Sequence, residues 1–157
     1  MAKHPDVGED APDFQLEGTH GTFRLSEHRG EKVMLLFYPG DETTVCTKQF
    51  CSYRDNAEAF GALGVTAVGI SGKDVESKKS FTEHHELNVP LLADPDLAVA
   101  DAYGAKGGFG PATMITARLT IVDEDGKVAH RHDHALGLDF QTVADLKQTL
   151  ETLPARA

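Results

Sequence analysis

The sequence predicts an α/β fold in which helices flank a central mixed β-sheet. Two continuous apolar runs, at 32–38 and 65–71, have the length and composition of strands buried on both faces. Helical spacing of apolar residues follows each run, which is the layer pattern of an α/β protein. A chain of 157 residues fits one domain, so we expect a single domain over residues 1–157.

The N-terminal part predicts a β-hairpin added to this sheet. Residues 14–16 and 22–25 have strand composition, and a glycine-containing turn at 18–21 separates them. The first central strand follows at 32–38 and stops at Pro39, which cannot continue a sheet ladder.

A long helix is predicted over residues 45–63, after a polar loop at 40–44. Gly61 and Gly64 end it, as glycine commonly ends helices. Apolar residues, large and small, recur along this helix at helical spacing: Phe50, Tyr53, Ala57 and Phe60.

The middle of the chain predicts two more helices around a short extended segment at 90–92. Asp74 is a suitable N-cap for a helix that runs to about His85. Asp94 opens a short helix with Pro95 in its first turn. The positions in line along the first of these helices are Val75, Lys78, Phe81 and His85.

The C-terminal part predicts a loop, a hairpin and a helix. Residues 104–111 are glycine-rich and indicate a loop. Strands at 117–122 and 127–134 surround the turn sequence at 123–126. A final amphipathic helix is predicted over 140–153.

Charge and composition exclude several classes of partner. The formal net charge is −10, which disfavours nucleic acid and acidic membranes as ligands. The N-terminus has no apolar run of signal-peptide length, and no stretch approaches the length of a membrane span. We therefore expect a cytoplasmic protein with reduced thiols.

Cys46 lies in the predicted first turn of a helix that follows a buried strand and a loop. The first turn of a helix offers free N–H groups and the positive end of the dipole, which lower a thiol pKa. With Cys51, the residues alone allow a buried pair, a metal fragment or a redox pair. Two cations are candidates for this site: Lys48, close in sequence, and Arg118, if its strand neighbours residues 32–38.

Metal and cofactor chemistry find little support in the sequence. His130, His132 and His134 alternate along a predicted strand and share one face, but no carboxylate or cysteine at suitable spacing completes a site. The glycine run at 107–110 lacks the Lys-Ser/Thr of a phosphate loop. We predict no metal and no cofactor.

Several motifs together resemble the peroxiredoxins. Pro39, Thr43 and Cys46 match the pattern P-x-x-x-T-x-x-C, and Cys51, five residues on, is similar to the second cysteine of the Q-type subfamily, the bacterioferritin comigratory proteins. Further similar segments follow in order: residues 8–14, 90–94 and 118–123. The resemblance covers nearly the whole chain.

This resemblance implies a thioredoxin-like fold and a thiol peroxidase that reduces hydrogen peroxide and organic hydroperoxides. It implies that Cys46 is the peroxidatic cysteine and Cys51 the resolving cysteine, joined in an intramolecular disulfide that thioredoxin or a similar dithiol reduces. Arg118 would be the active-site arginine, Thr43 the active-site hydroxyl and Pro39 a shield against solvent. The resemblance favours a monomer over a dimer.

One departure and three alternatives accompany this interpretation. The family usually carries Glu where this chain has Gln49, which leaves open how Arg118 is held. If Cys51 never resolves, the protein is a one-cysteine peroxidase that uses an external thiol. A thiol-disulfide oxidoreductase usually requires C-x-x-C, which this chain lacks. A metal-binding module built on Cys and His is the third alternative.

Overall fold

A computed structural model describes residues 5–39, 44–107, 114–115, 118–133 and 143–153. The side chains of residues 44–46, 107, 114 and 133 are outside this description. Within it, most of the predicted elements are present, and the thioredoxin-like mixed sheet flanked by helices is confirmed.

Seven strands form one mixed sheet in the order β2-β1-β5-β4-β3-β8-β9, and β6 and β7 form a separate two-stranded ribbon. The pairs β3–β4 and β4–β5 are parallel, whereas β8 and β9 are antiparallel to their neighbours. The strands are β1 Gln15–Gly18, β2 Gly21–Arg24, β3 Val33–Phe37, β4 Thr66–Ser71, β5 Leu91–Ala93, β6 Lys106–Gly107, β7 Met114–Ile115, β8 Arg118–Val122 and β9 Val128–Asp133.

Strand β3 lies between β4 and β8 in the sheet and is buried along its whole length. Its side chains alternate between the two faces of the sheet, as the geometry of a strand requires. Leu35 and Phe37 belong to one core cluster with Val68 and Tyr103. Their neighbours Met34, Leu36 and Tyr38 belong to a second cluster on the opposite face. The continuous apolar run thus supplies both cores.

Five α-helices and one short 3₁₀ helix accompany the sheet in the described residues: α1 Thr44–Asp55, α2 Ala57–Gly61, α3 Val75–His85, α4 Ala98–Ala102, α5 Val143–Thr152 and the 3₁₀ helix Leu25–His28. Residues of α1, α3 and α5 share the second core cluster, including Phe50, Phe81 and Leu146. These three helices therefore cover one face of the sheet.

The single helix predicted over 45–63 is wrong, because the chain breaks at Asn56 into α1 and α2. Asn56 has φ −112° and ψ 35°, outside the helical region, and its Nδ2 donates to the Ser52 carbonyl at 2.8 Å. The Asn56 backbone N–H donates to the same carbonyl at 3.1 Å, and α1 ends here. Tyr53 and Phe60 still stack across the break, with ring centroids 4.7 Å apart.

The prediction for α3 is confirmed in detail. The Asp74 carboxylate accepts a hydrogen bond from the Ser77 N–H at 2.8 Å, and the helix ends at His85 as expected. Glu86 follows with φ 52°, a left-handed residue that closes the helix.

Two predictions after residue 93 need correction. The short helix opens at Ala98 and not at Asp94, because a turn that ends in left-handed Leu97 intervenes. The Asp94 carboxylate still caps it, accepting from the Ala100 N–H at 2.9 Å. The predicted loop at 104–111 contains β6, which pairs with β7 through Lys106 and Ile115. Residues 108–113 are outside the described ranges.

The N-terminal hairpin is confirmed, with Thr19 and His20 in its turn. It joins the sheet through Gly18, which pairs with Leu92. A Cβ at Gly18 would lie 2.6 Å from the Leu91 carbonyl oxygen, so the close approach of β1 to β5 requires glycine here. In the ranges described, no helix is both long and apolar enough to cross a bilayer. One domain over residues 1–157 stays a prediction.

Candidate active site

Cys46 is the third residue of α1, in its first turn. Strand β3 ends at Phe37, Tyr38 follows, and Pro39 is a half-buried residue at which the chain leaves the sheet. The first four N–H groups of α1 have no partner within the helix, so this turn carries partial positive charge. Thr43 and the Cys46 side chain lie outside the described residues.

Arg118 lies at the same edge of the sheet as the start of α1. Strand β8 is the antiparallel neighbour of β3, and Arg118 pairs with Phe37, the last residue of β3. This confirms the expectation that the arginine strand neighbours the first central strand. The side chain is 9 % exposed, and its Nη1 donates to the Tyr103 carbonyl at 2.7 Å.

The Tyr103 carbonyl is one acceptor that holds Arg118 in a chain whose residue 49 is not an acid. A backbone carbonyl is a neutral acceptor fixed by the fold, and it orients the guanidinium without neutralising its charge. Tyr103 is itself fixed, because its ring packs 5.6 Å from that of Phe37 and its hydroxyl donates to the Pro12 carbonyl at 2.5 Å. Burial raises the pKa of the Tyr103 phenol, so it stays neutral.

Gln49 takes part in a neutral pair inside the second core. Its side chain is 3 % exposed, and Nε2 donates to the Tyr53 hydroxyl at 3.1 Å. Burial raises the pKa of Tyr53 to about 12, so the phenol carries no charge either. The amide therefore brings no negative charge to the helix that carries Cys46.

Cys51 is a free thiol in the middle of α1, half-buried against the second core cluster. Both cysteines belong to one continuous helix, Thr44–Asp55. Five residues of helix give about 7.5 Å of rise and about 140° of rotation, so the two Cα atoms are roughly 8–9 Å apart. A disulfide requires less than about 7 Å. The two cysteines can bond only after α1 unwinds locally.

The other predicted cations and ligands have clear positions. Lys48 is exposed on α1, which leaves Arg118 as the buried arginine of this edge. His130 and His132 are half-buried on β9 as expected, and His134 lies outside the described residues. In the part of the chain that the structure describes, no group of three His, Cys, Asp or Glu side chains could hold a metal ion.

Two features of this edge are not apparent from the sequence motifs. The Tyr103 carbonyl leaves no mark in a sequence, because every residue has one. The second feature is a fully buried Lys78 on α3, in contact with Tyr38. Its only signal is a lysine on the otherwise largely apolar stripe of the predicted helix.

Comparison with known proteins agrees with this geometry. The model of the AhpC/TSA family matches residues 7–131. The chain is 34 % identical to Peroxiredoxin Bcp of Bacillus subtilis over 153 residues, 94 % of this chain and 96 % of that protein. It is 34 % identical to the chloroplastic Peroxiredoxin Q of Oryza sativa subsp. japonica, over 93 % of this chain and 65 % of the relative.

A solved structure is similar over almost the same length. The crystal structure of Peroxidoxin BcpB from Mycobacterium tuberculosis superposes with a TM-score of 0.82 at 30 % identity. The match covers 97 % of this chain and 100 % of that one.

Proposed function

Since this chain belongs to the AhpC/TSA family as a Q-type peroxiredoxin, a thiol peroxidase, we propose that Cys46 is its peroxidatic cysteine and Cys51 its resolving cysteine. The observation that carries this proposal is the pairing of Arg118 with Phe37. It brings a buried guanidinium to the edge of the sheet at which α1, with Cys46 in its first turn, begins.

In the proposed first step, the Cys46 thiolate attacks the terminal oxygen of a hydroperoxide, ROOH. The S–O bond forms as the O–O bond breaks, the sulfur is oxidised to a sulfenic acid, and the other oxygen leaves as ROH after taking a proton. Hydrogen peroxide and organic hydroperoxides both fit this step. Arg118 and the Thr43 hydroxyl would stabilise the breaking bond, and Pro39 would limit water at the sulfur.

Lowering the thiol pKa does not account for a fast reaction by itself. A free thiol with a pKa near 8.5 is ~3 % thiolate at pH 7. A pKa near 6 would give about 30-fold more thiolate, but the loss of intrinsic nucleophilicity is roughly 13-fold, which leaves a net gain of about two- to threefold. Most of the acceleration must come from donors aimed at the two peroxide oxygens, which is the role proposed for Arg118 and Thr43.

In the second step, α1 unwinds and the Cys51 thiolate attacks the sulfenic sulfur of Cys46. The S–S bond forms, and hydroxide leaves as water after taking a proton. Thioredoxin or a similar dithiol would then reduce this disulfide by exchange, with its own two thiols becoming oxidised. We place the protein in the cytoplasm, where such dithiols are kept reduced.

Peptide mapping tests the two cysteine roles directly. After one equivalent of hydrogen peroxide, mass spectrometry is expected to find a linked pair of peptides containing Cys46 and Cys51. Cys46→Ser should abolish turnover, and Cys51→Ser should allow one oxidation of Cys46 without the internal disulfide. Turnover of Cys51→Ser with thioredoxin at the wild-type rate would instead support a one-cysteine enzyme with an external resolving thiol.

A monomer is the proposed oligomeric state. Among the large hydrophobic residues within the described ranges, Val7 is the only exposed one, at 62 %. An obligate dimer would need a larger apolar surface than the described residues expose. Light scattering after size-exclusion chromatography should therefore give the 16.9 kDa mass of one chain, and a mass near twice that value would contradict the proposal.

A further inference from the structure

Lys78 is a lysine with no exposed surface, at 0 %. It is the fourth residue of α3, and its Nζ donates to the Tyr38 hydroxyl at 3.1 Å and to the Ser71 hydroxyl. Removing an ammonium from water costs several kcal/mol unless the protein supplies replacement contacts. Such a residue constrains the groups around it, because they must stay in place to solvate the charge.

The three residues meet where the parallel strands β3 and β4 end. Tyr38 comes directly after β3, Ser71 is the last residue of β4, and Lys78 lies in the first turns of the following helix. The carboxyl ends of parallel neighbours lie at the same edge of a sheet, so this ammonium is at the edge where α1 also begins.

Tyr38 is held between Lys78 and α1. The Lys78 Nζ lies 5.1 Å from the centroid of the Tyr38 ring, and the Phe50 ring meets the same ring edge-on at 5.0 Å. Phe50 is one helical turn after Cys46. The Tyr38 N–H also donates to the Ile70 carbonyl at 3.0 Å, so backbone and side chain are both fixed.

The hydrogen bond also fixes the direction of the Tyr38 hydroxyl. An ammonium has three donors and no acceptor, so the phenol oxygen accepts from Lys78 and its own hydrogen must point to a different acceptor. Tyr38, the first residue after β3, is therefore held through its hydroxyl, its ring and its backbone N–H. Pro39 follows directly, so these contacts hold the residue from which the chain leaves the sheet.

We propose that Lys78 is a positioning residue for the reactive cysteine: it holds Tyr38, which packs on Phe50 of α1, the helix that carries Cys46. This inference rests on the proposed role of Cys46. Reduction of a hydroperoxide requires donors placed at both oxygens, and a small displacement of such groups is costly. Alkylation of the same sulfur requires only an accessible thiolate.

The test compares these two reactions in a Cys51→Ser background, where Cys46 is the only thiol, because the chain has two cysteines. Lys78→Met keeps an unbranched buried stem and removes the ammonium. We expect the rate of Cys46 oxidation by hydrogen peroxide to fall about tenfold. Alkylation by iodoacetamide, measured at a pH well above the thiol pKa, should change by less than about twofold.

Lys79→Met is the matched control, since Lys79 is the exposed neighbour on the same helix and both of its rates should stay unchanged. If Lys78→Met does not fold, Tyr38→Phe removes the acceptor and should slow oxidation selectively in the same way. An unchanged oxidation rate in the folded variant, or an equal fall in both rates, would overturn the proposal. A parent protein whose Cys46 does not react with peroxide would contradict the proposed function instead.

Discussion

At the scale of single residues, the proposed site contains a buried arginine that donates to a backbone carbonyl. Arg118 donates to the Tyr103 carbonyl, and its position opposite Phe37 follows from strand pairing. A carbonyl acceptor orients the guanidinium at the sheet edge, where the proposed role of Arg118 is to stabilise a developing anion. This arrangement suits a chain with an amide at residue 49.

Arg118→Ala should slow the first oxidation of Cys46 by roughly 10²–10³-fold, because it removes a charged donor from the proposed transition state. Stopped-flow measurement with limiting hydrogen peroxide checks this value. The loss of the bond to Tyr103 should lower the free energy of unfolding by about 1–2 kcal/mol. Arg131→Ala is the control, since Arg131 on the next strand pairs with Asp6 at the surface and should leave the oxidation rate unchanged.

Glu124, which lies away from the proposed site, should account for part of the loss of folding stability at low pH. Lys32 Nζ and Glu124 Oε2 are 2.8 Å apart, and this hydrogen bond lowers the pKa of Glu124. Because the folded-state pKa is depressed, the stabilisation is present above the unfolded value of about 4.3 and is lost as the pH falls through the lower folded-state value.

Glu124→Gln should therefore lower the free energy of unfolding at pH 7 by about 0.5–1 kcal/mol and have little effect in acid. Urea titrations at pH 7 and at pH 3 measure the difference. Glu83→Gln, an exposed change on α3, should lower stability at neither pH. An equal loss for Glu124→Gln at both pH values would show that the ion pair is not the cause.

At the scale of elements, the attachment of α1 to the sheet depends on a glycine in β4. A Cβ at Gly69 would lie 2.9 Å from the Phe50 Cζ and 2.8 Å from the Leu91 Cδ2. Phe50 is the residue before Cys51 and packs edge-on against Tyr38, Tyr53 and Phe81. The absence of a side chain at Gly69 thus allows the middle of α1 to seat against the sheet.

Gly69→Ala should displace Phe50 and lower stability by about 1–3 kcal/mol. Because α1 would be held less tightly, the Cys46–Cys51 disulfide should form faster after oxidation, and limited proteolysis should cut residues 44–55 more readily. Gly61→Ala is the control: a Cβ added at Gly61 would meet no atom within 4 Å, so this change should not destabilise α1. Slower disulfide formation in Gly69→Ala would contradict this account.

At the scale of the whole molecule, the elements that the sequence predicted best have strong local signals. The apolar run of β3 and the Asp74 cap of α3 are both visible in the sequence and both confirmed. The sequence pattern does not indicate the break at Asn56, because Tyr53 and Phe60 keep helical spacing across it. The two-residue β6 is too short to show a period.

The residues of the proposed site also differ in how far the sequence predicts them. Motif spacing predicts roles for Cys46 and Arg118, and the predicted adjacency of their strands is confirmed, whereas the contacts around Arg118 and Lys78 are tertiary. The burial of Lys78 depends on Tyr38 and Ser71, residues 40 and 7 positions away, and the Tyr103 carbonyl has no side-chain signature. Local patterns cannot reveal such contacts, because they exist only once distant elements are packed.

The interruption at Asn56 sets a boundary for the opening that disulfide formation requires. Because α2 is a separate helix, in which the Phe60 N–H donates to the Asn56 carbonyl at 2.8 Å, we expect its backbone bonds to persist when α1 unwinds. In deuterated solvent, amides of residues 48–55 should exchange through small fluctuations, and those of α2 should follow a separate course. Cys51 would then move with a short unwound segment whose C-terminal end is still held by α2.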